Sequence, residues 1–108
     1  MGQKQRIVTL HAALELDTDG LDALDVWASI LAPAAETVED YPTDPRGPSC
    51  LILSFVASQP VHTVIAYPAK RQAAKQGLAA VAVLITAYCP DKRPHEWSAD
   101  YRQRLPQP

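Results

Sequence analysis

The hydrophobic pattern changes from helical to extended along the chain. Apolar residues recur at helical spacing over residues 11–16 and, more clearly, over residues 21–31, and Pro33 ends the second helix. Further along, four segments with an extended pattern, separated by turn residues, predict strands: ETVEDY, SCLILSFV, VHTVIAYP and LAAVAVLITAYC. The order of elements predicts an α+β fold in which N-terminal helices precede an antiparallel four-stranded sheet.

The predicted strands are apolar on both faces. In SCLILSFV, Leu51 and Leu53 alternate with Cys50 and Ile52, so neither side of the strand is polar. Both faces of such a sheet must be covered. The helices can cover one face, and we expect the other to meet either the C-terminal segment or a second subunit. A dimer is therefore a candidate assembly.

Two further segments have helical features. Trp97 and Tyr101 are one helical turn apart, and Ser98 is a residue type that caps helices, so the sequence predicts a short C-terminal helical tail. The segment AKRQAAKQG, residues 69–77, is consistent with a single helical turn ended by Gly77. Its cations are more typical of a solvated connection than of a recognition element.

Length and composition limit the classes of function. A chain of 108 residues has the size of one domain, so residues 1–108 are treated as a single domain. No apolar run has the length of a signal peptide or a membrane span, which predicts a cytoplasmic protein without a membrane partner. Cys50 and Cys89 lack the spacing of zinc and redox motifs. Without a glycine-rich phosphate loop or a nucleophile elbow, the sequence predicts no cofactor and no metal.

The stretch DTDGLDALD, residues 17–25, is unusually acidic. An EF-hand calcium loop turns on a glycine at its sixth position, but this stretch has Asp22 there. Asp19 or Asp22 instead suits a helix N-cap, and Asp25 suits the first turn, where the helix dipole favours negative charge. The pattern favours a helix start, with a mixed carboxylate and imidazole metal site that includes His11 as the weaker alternative.

The formal charge of −2 is unevenly distributed. Residues 1–45 carry −7, and residues 46–108 carry +5. A basic second half suits nucleic acid or an acidic partner, whereas two halves of opposite charge also suit the packing of one copy against another. The charge pattern leaves the partner open.

Several motifs together resemble DUF4258, a bacterial family whose function is unknown. They are Tyr41 with Pro42, residues 48–51, residues 60–64, residues 85–91, and Trp97, Asp100, Arg102 and Arg104. The resemblance covers residues 7–104. This family is similar to the RelE-, BrnT- and MqsR-like toxins, which act on messenger RNA or the ribosome and are usually paired with an antitoxin. The resemblance implies a RelE-like fold and a toxin-like domain that acts as a metal-independent endoribonuclease.

The resemblance also implies site residues. His62, in the Pro-x-His-x-Val strand motif, is the first candidate for a general acid or base, although a single strand histidine is more often a hydrogen-bonded core residue. Tyr88 is suited equally to contact a phosphate or to cap the sheet edge, and His11 completes the catalytic set. The candidate ligands of phosphate or RNA are Arg46, Arg102 and Arg104.

The first helix departs from the pattern of the family. The resemblance implies arginines four and eight positions after His11, where this chain has Glu15 and Asp19. Carboxylates would repel a phosphate, and Glu15, one turn from His11, would favour the imidazolium form. Such a site would be impaired, so the sequence leaves open whether the chain is an enzyme. The alternative is a catalytically degenerate interaction module that binds a partner or itself.

Overall fold

The structure, a computed structural model, describes residues 6–45, 47–66 and 82–107. Strand β1, Arg6–Val8, is followed by helices α1, Leu10–Thr18, and α2, Ala23–Ile30. The later strands are β2, Glu36–Tyr41, β3, Ser49–Val56, β4, Gln59–Ala66, and β5, Ala82–Tyr88. The predicted α+β class is confirmed, since two helices precede four antiparallel strands. The predicted helical turn at residues 69–77 lies outside the described residues.

The strands form one sheet in the order β1-β5-β4-β3-β2. Strands β2 to β5 pair antiparallel with their neighbours, as predicted, and β1 adds a short parallel pairing with the first half of β5. Thr9, directly after β1, extends this connection because its backbone N–H donates to the Leu84 carbonyl and its hydroxyl donates to the Ile85 carbonyl. The N-terminal end of α1 is thereby held beside β5.

Side chains cap both helices. Thr9 Oγ1 accepts a hydrogen bond from the Ala12 N–H at 3.1 Å, and Asp22 Oδ1 accepts one from the Leu24 N–H at 2.8 Å. The predicted N-cap is confirmed at Asp22, and Asp25 lies in the first turn of α2 as expected. Asp19, the alternative N-cap candidate, is instead the C-cap residue of α1. No helix among the described residues is long and apolar enough to cross a membrane.

The helices cover one face of the sheet and enclose the larger hydrophobic cluster. Each fully buried valine, leucine or isoleucine side chain stabilises the fold by roughly 1.5–3 kcal/mol. The cluster consists of Ala12, Leu16, Val26, Trp27, Val61, Ile65, Leu84 and Ala87. Because α1 packs on β5 and α2 packs on β3, the helix layer spans the centre of the sheet.

The C-terminal segment covers the opposite face, which is one of the two covers that the sequence predicted. Trp97 is buried there against Leu51 and Tyr88, and it pairs with Arg104 through an antiparallel bridge. Residues 97–104 thus form a closed loop across the sheet, termed the C-terminal strap. Helical structure near the C-terminus is limited, among the described residues, to a single 3-10 turn, Pro90–Lys92, which precedes the strap. The helix expected around Ser98 is absent from the strap.

Candidate functional site

His62 lies on β4 beneath the C-terminal strap and is 0% exposed. Its Nε2 atom is 2.8 Å from the Tyr101 carbonyl oxygen, and because a carbonyl only accepts, Nε2 carries the proton and donates. The Nδ1 atom, 3.1 Å from the Tyr88 hydroxyl, therefore accepts a hydrogen bond. The Trp97 ring meets the imidazole edge-on, with 4.3 Å between the ring centroids. The structure thus brings the candidate catalytic residues His62 and Tyr88 into direct contact.

Burial keeps this pair neutral. It lowers the pKa of His62 below its ordinary value, despite the opposing effect of the hydrogen bond to the Tyr101 carbonyl. Burial also raises the pKa of the Tyr88 phenol. Both ring nitrogens of His62 have hydrogen-bond partners inside the protein. A substrate could therefore reach them only if the strap moved away from the sheet. A catalytic role for His62 and Tyr88 stays a prediction.

Carboxylates from α1 hold the part of β5 that β1 does not reach. Backbone N–H groups at such an edge need other acceptors. Glu15 accepts hydrogen bonds from the Ala87 N–H, at 3.0 Å, and from the Thr86 hydroxyl. Asp19 accepts from the Cys89 N–H at 3.2 Å. Glu15 and Asp19 therefore take the place of a neighbouring strand, a role that the sequence analysis missed.

The sequence does contain a signal for the role of Glu15 and Asp19 as acceptors for β5. Ala12, Glu15, Leu16 and Asp19 follow the spacing of one helix face, and Ala12 and Leu16 are buried in the core. Carboxylates within an apolar stripe must find donors where the helix meets its neighbours. The interruption of the stripe by acids therefore indicates contacts with a strand edge.

His11, the remaining candidate catalytic residue, lies at the rim of an open cleft. Its Nε2 atom is 3.4 Å from Glu15 Oε1, so the expected contact between these side chains is present, and the imidazole is 70% exposed. The cleft has a volume of about 670 Å³ and lies on the face that the strap partly covers. Its polar lining consists of His11, Tyr41, Asp44, Ser49, Thr86 and Arg104.

The arginines of the strap, Arg102 and Arg104, both form ion pairs with β2. Arg102 contacts both carboxylate oxygens of Glu36, at 2.7 and 3.0 Å. Arg104 Nε is 2.9 and 3.1 Å from the carboxylate oxygens of Glu39, and its guanidinium carbon lies 4.6 Å from the centroid of the Trp97 ring. Both predicted phosphate ligands thus fasten the strap to the sheet.

The carboxylate of Glu39 balances the positive charge that Arg104 brings to the lining of the cleft. Burial opposes ionisation of Glu39, but hydrogen bonds from Arg104 and from the Tyr41 hydroxyl outweigh it and lower the pKa of Glu39. A carboxylate that stays ionised holds the guanidinium firmly. Arg46, the other predicted phosphate ligand, lies outside the described residues.

A comparison with protein families identifies the domain. The family described as a domain of unknown function (DUF4258) matches residues 8–89. The chain belongs to this family. Searches of curated proteins and of solved structures found no match. The predicted family is confirmed, and the DUF4258 match contains the helices, His62 and Tyr88. It ends before the strap, so the tail residues that the sequence resemblance included lie beyond it.

The candidate functional residues of this DUF4258 domain lie in two places, a closed site and an open site. The closed site is the neutral pair of His62 and Tyr88 under the strap. The open site is the cleft, where His11 adjoins the carboxylate of Glu15 and where Arg104 is paired. Among the described residues, no group of three or more His, Cys, Asp or Glu side chains is arranged to hold a metal ion.

We predict that Arg104→Ala destabilises this DUF4258 domain more than Arg102→Ala does. Loss of Arg104 removes an ion pair whose carboxylate, Glu39, is 26% exposed, and a cation–π contact with Trp97, together on the order of 1 kcal/mol. The carboxylate that pairs with Arg102, Glu36, is more exposed, at 44%, and this pair has no cation–π contact beside it, so salt should screen it more and its loss should be smaller. Urea unfolding of both variants at low and high salt measures the difference. Equal losses would contradict the stronger anchoring by Arg104.

Proposed function

We propose that this DUF4258 domain is a catalytically degenerate interaction module that binds a protein partner. One observation carries the proposal: four of the five described residues of the candidate nuclease site, all except His11, are engaged in holding the fold. His62 is hydrogen-bonded on both nitrogens, and Arg102 and Arg104 are paired with carboxylates of β2. Groups used in this way are not free to act on a substrate.

The electrostatics of the cleft also favour this proposal over RNA cleavage. Cleavage without a metal requires a base near the 2′-hydroxyl and cations that stabilise the developing charge on phosphorus. The cleft is lined by His11, which contacts Glu15, and by Arg104, which Glu39 neutralises. A phosphate that entered would have to compete with Glu39 for the guanidinium of Arg104, which lowers the attraction between that cation and the phosphate.

A toxin-like domain of a toxin–antitoxin system, acting on RNA or translation, is the second candidate. The cleft favours it, because an exposed imidazole and the hydroxyls of Tyr41, Ser49 and Thr86 surround a space of about 670 Å³. In this version His11 is the general base, since it lies in the cleft and His62 does not. Its partners would be RNA or the ribosome, and an antitoxin.

Controlled induction in bacteria distinguishes the two functions. We expect normal growth and normal bulk translation when the parent chain and His11→Ala are expressed to the same soluble level. His11 is exposed, so its replacement tests chemistry without unfolding the domain. Growth arrest by the parent and relief by His11→Ala would overturn the proposal in favour of the toxin. RNA affinity that falls steeply with salt would point the same way.

A further inference from the structure

The C-terminal strap is closed at its base by backbone hydrogen bonds of its own. The Ser98 N–H donates to the Gln103 carbonyl at 2.8 Å, and just outside the strap the Leu105 N–H donates to the Glu96 carbonyl at 2.9 Å. Near the tip, the Tyr101 N–H donates to the Ser98 carbonyl at 2.9 Å. Because these bonds do not involve the sheet, they remain when the strap moves away from it. The strap can therefore move as one unit.

The tip of the strap has a conformation that depends on its contacts with the sheet. Tyr101 has a φ of 65°, in the left-handed region that is unfavourable for a residue other than glycine. Its carbonyl oxygen is 2.8 Å from Nε2 of His62 on β4. Such strain persists only where surrounding contacts outweigh it. The hydrogen bond from His62 therefore helps to hold the strap closed.

The hydrogen bonds of His62 require a neutral imidazole. Nδ1 accepts from the Tyr88 hydroxyl, 3.1 Å away, while Nε2 donates to the Tyr101 carbonyl. A proton added at Nδ1 makes that atom a donor, so the hydroxyl proton of Tyr88 loses its acceptor. The added charge is also enclosed, because His62 is 0% exposed. The closed strap therefore disfavours the imidazolium.

Charges of both signs lie around the imidazole of His62, and together with burial they oppose its protonation. Burial lowers the pKa of His62, and the positive charges of Arg104 in the strap and of Arg93 act in the same direction. Glu39 of β2 favours the imidazolium, but its carboxylate is paired with Arg104. Tyr88, the titratable neighbour on β5, stays a neutral phenol because burial raises its pKa.

The strap also separates the closed site from the cleft. Val64 is two residues from His62 on β4, so both side chains lie on the same face of the sheet. Val64 packs against the hydrophobic cluster under the strap and also lines the cleft. Arg104, which belongs to the strap, lines the cleft as well. Removal of the strap would therefore connect the two sites.

We infer that the C-terminal strap is an acid-opened latch, in which protonation of His62 releases the strap from the sheet and joins the closed site to the cleft. This inference goes beyond the proposed function, because it does not depend on which partner the domain binds.

The direction of the pH effect follows from the two states of His62. An imidazole exposed by release of the strap has the ordinary pKa of about 6.5, whereas burial under the strap lowers the pKa. Closure is therefore most stable above about pH 6.5 and is lost as the pH falls below that value. Each further pH unit raises the ratio of open to closed molecules by up to about tenfold.

The two tryptophans of the chain distinguish opening of the strap from unfolding of the domain. Trp97 is buried between the strap and the sheet, and Trp27 is buried between the helices and the opposite face. Fluorine NMR of the full chain labelled with fluorotryptophan follows both rings between about pH 8 and pH 5, the range in which histidine titrates. We expect the Trp97 resonance to move to a solvent-exposed position below about pH 6.5 while the Trp27 resonance stays unchanged. A simultaneous change of both resonances, or an unchanged Trp97 resonance, would overturn the inference.

Glutamine variants test whether His62 is the group that titrates. The chain has three histidines, of which His11 and His95 are exposed. His62→Gln retains a donor and an acceptor without a titratable ring, so Trp97 should stay buried over the whole pH range. The matched variant, His11→Gln with His95→Gln, should open as the parent does. A transition that persists in His62→Gln, or that disappears in the matched variant, would contradict the latch.

Arg102→Gln tests the latch without a change at His62, and it decides the case if His62→Gln does not fold. Both carboxylates that hold the strap stay ionised above about pH 5, since a hydrogen bond from Arg102 lowers the pKa of Glu36 and the pKa of Glu39 is lowered as described above. Loss of the exposed Arg102 pair should weaken closure about threefold and raise the midpoint of opening by about half a pH unit. An unchanged or lower midpoint would show that the acid transition does not involve the strap.

Discussion

His62→Ala is expected to lower the free energy of unfolding by about 3–5 kcal/mol. The side chain is fully buried, so its removal leaves a cavity among Trp97, Tyr88 and the strap. It also leaves the Tyr88 hydroxyl and the Tyr101 carbonyl without their partner, at about 1–3 kcal/mol for each unsatisfied group. Equilibrium unfolding in urea measures the loss.

His11→Ala is the matched control for this experiment. It removes the same side chain from an exposed helix position, and it should change stability by less than about 0.5 kcal/mol. His62→Gln, which can retain a donor and an acceptor, should recover part of the loss. If His62→Ala were as stable as the parent, the imidazole would have no structural role under the strap. The case for a closed site would then fail.

Glu15→Arg combined with Asp19→Arg is expected to destabilise the domain by about 2–4 kcal/mol. The change removes the acceptors of the Ala87 and Cys89 N–H groups, and hydrogen bonds to charged partners contribute about 1.5–3 kcal/mol each. It also places a cation opposite Lys92, which now contacts Asp19 at 3.4 Å. Thermal and urea unfolding measure the effect.

Two controls separate the loss of acceptors from the change of charge. Asp17→Arg reverses a charge at an exposed position of the same helix and should have little effect. Glu15→Gln with Asp19→Asn keeps an acceptor oxygen at each position and should cost less than the reversal. A stable double-arginine variant that acquires RNA binding would show that these acids replace a cationic site and are not needed to hold β5.

Much of the sheet and both helices could be predicted from the sequence, because their signals are local. The helical period, the N-cap at Asp22 and the turns between strands each depend on residues close together in the chain. The cover of the second face was predicted as one of two alternatives, since apolar residues on both sides of β3 need a partner but do not specify it. The strap, marked by Trp97, is that partner.

Strand β1 and the conformation of the strap could not be predicted in this way. β1 is short, and its partner β5 lies at the other end of the sequence, so no local period shows the pairing. In the strap, the Ser98 hydroxyl donates to Asp100 and accepts from the Gln103 N–H, which competes with a helix. Tyr101, at a φ of 65°, then turns the chain so that its carbonyl meets His62.

The sequence grouped the candidate site residues by motif, and their role in a site stays a prediction. The contacts of His62 with Tyr88 and of His11 with Glu15 agree with the grouping by motif. The sequence did not indicate which groups the fold itself occupies. A core histidine and a catalytic histidine have the same signature in a strand, and only burial and hydrogen bonding distinguish them.

The carboxylates on β5 also affect how the protein behaves in a concentrated solution. An uncovered strand edge is a template onto which the strand of another molecule can add, and such additions lead to aggregation. An incoming strand would have to displace Glu15 and Asp19 from the Ala87 and Cys89 N–H groups and would place its own carbonyls beside two negative charges. The same side chains that hold the end of β5 therefore protect that backbone against intermolecular pairing.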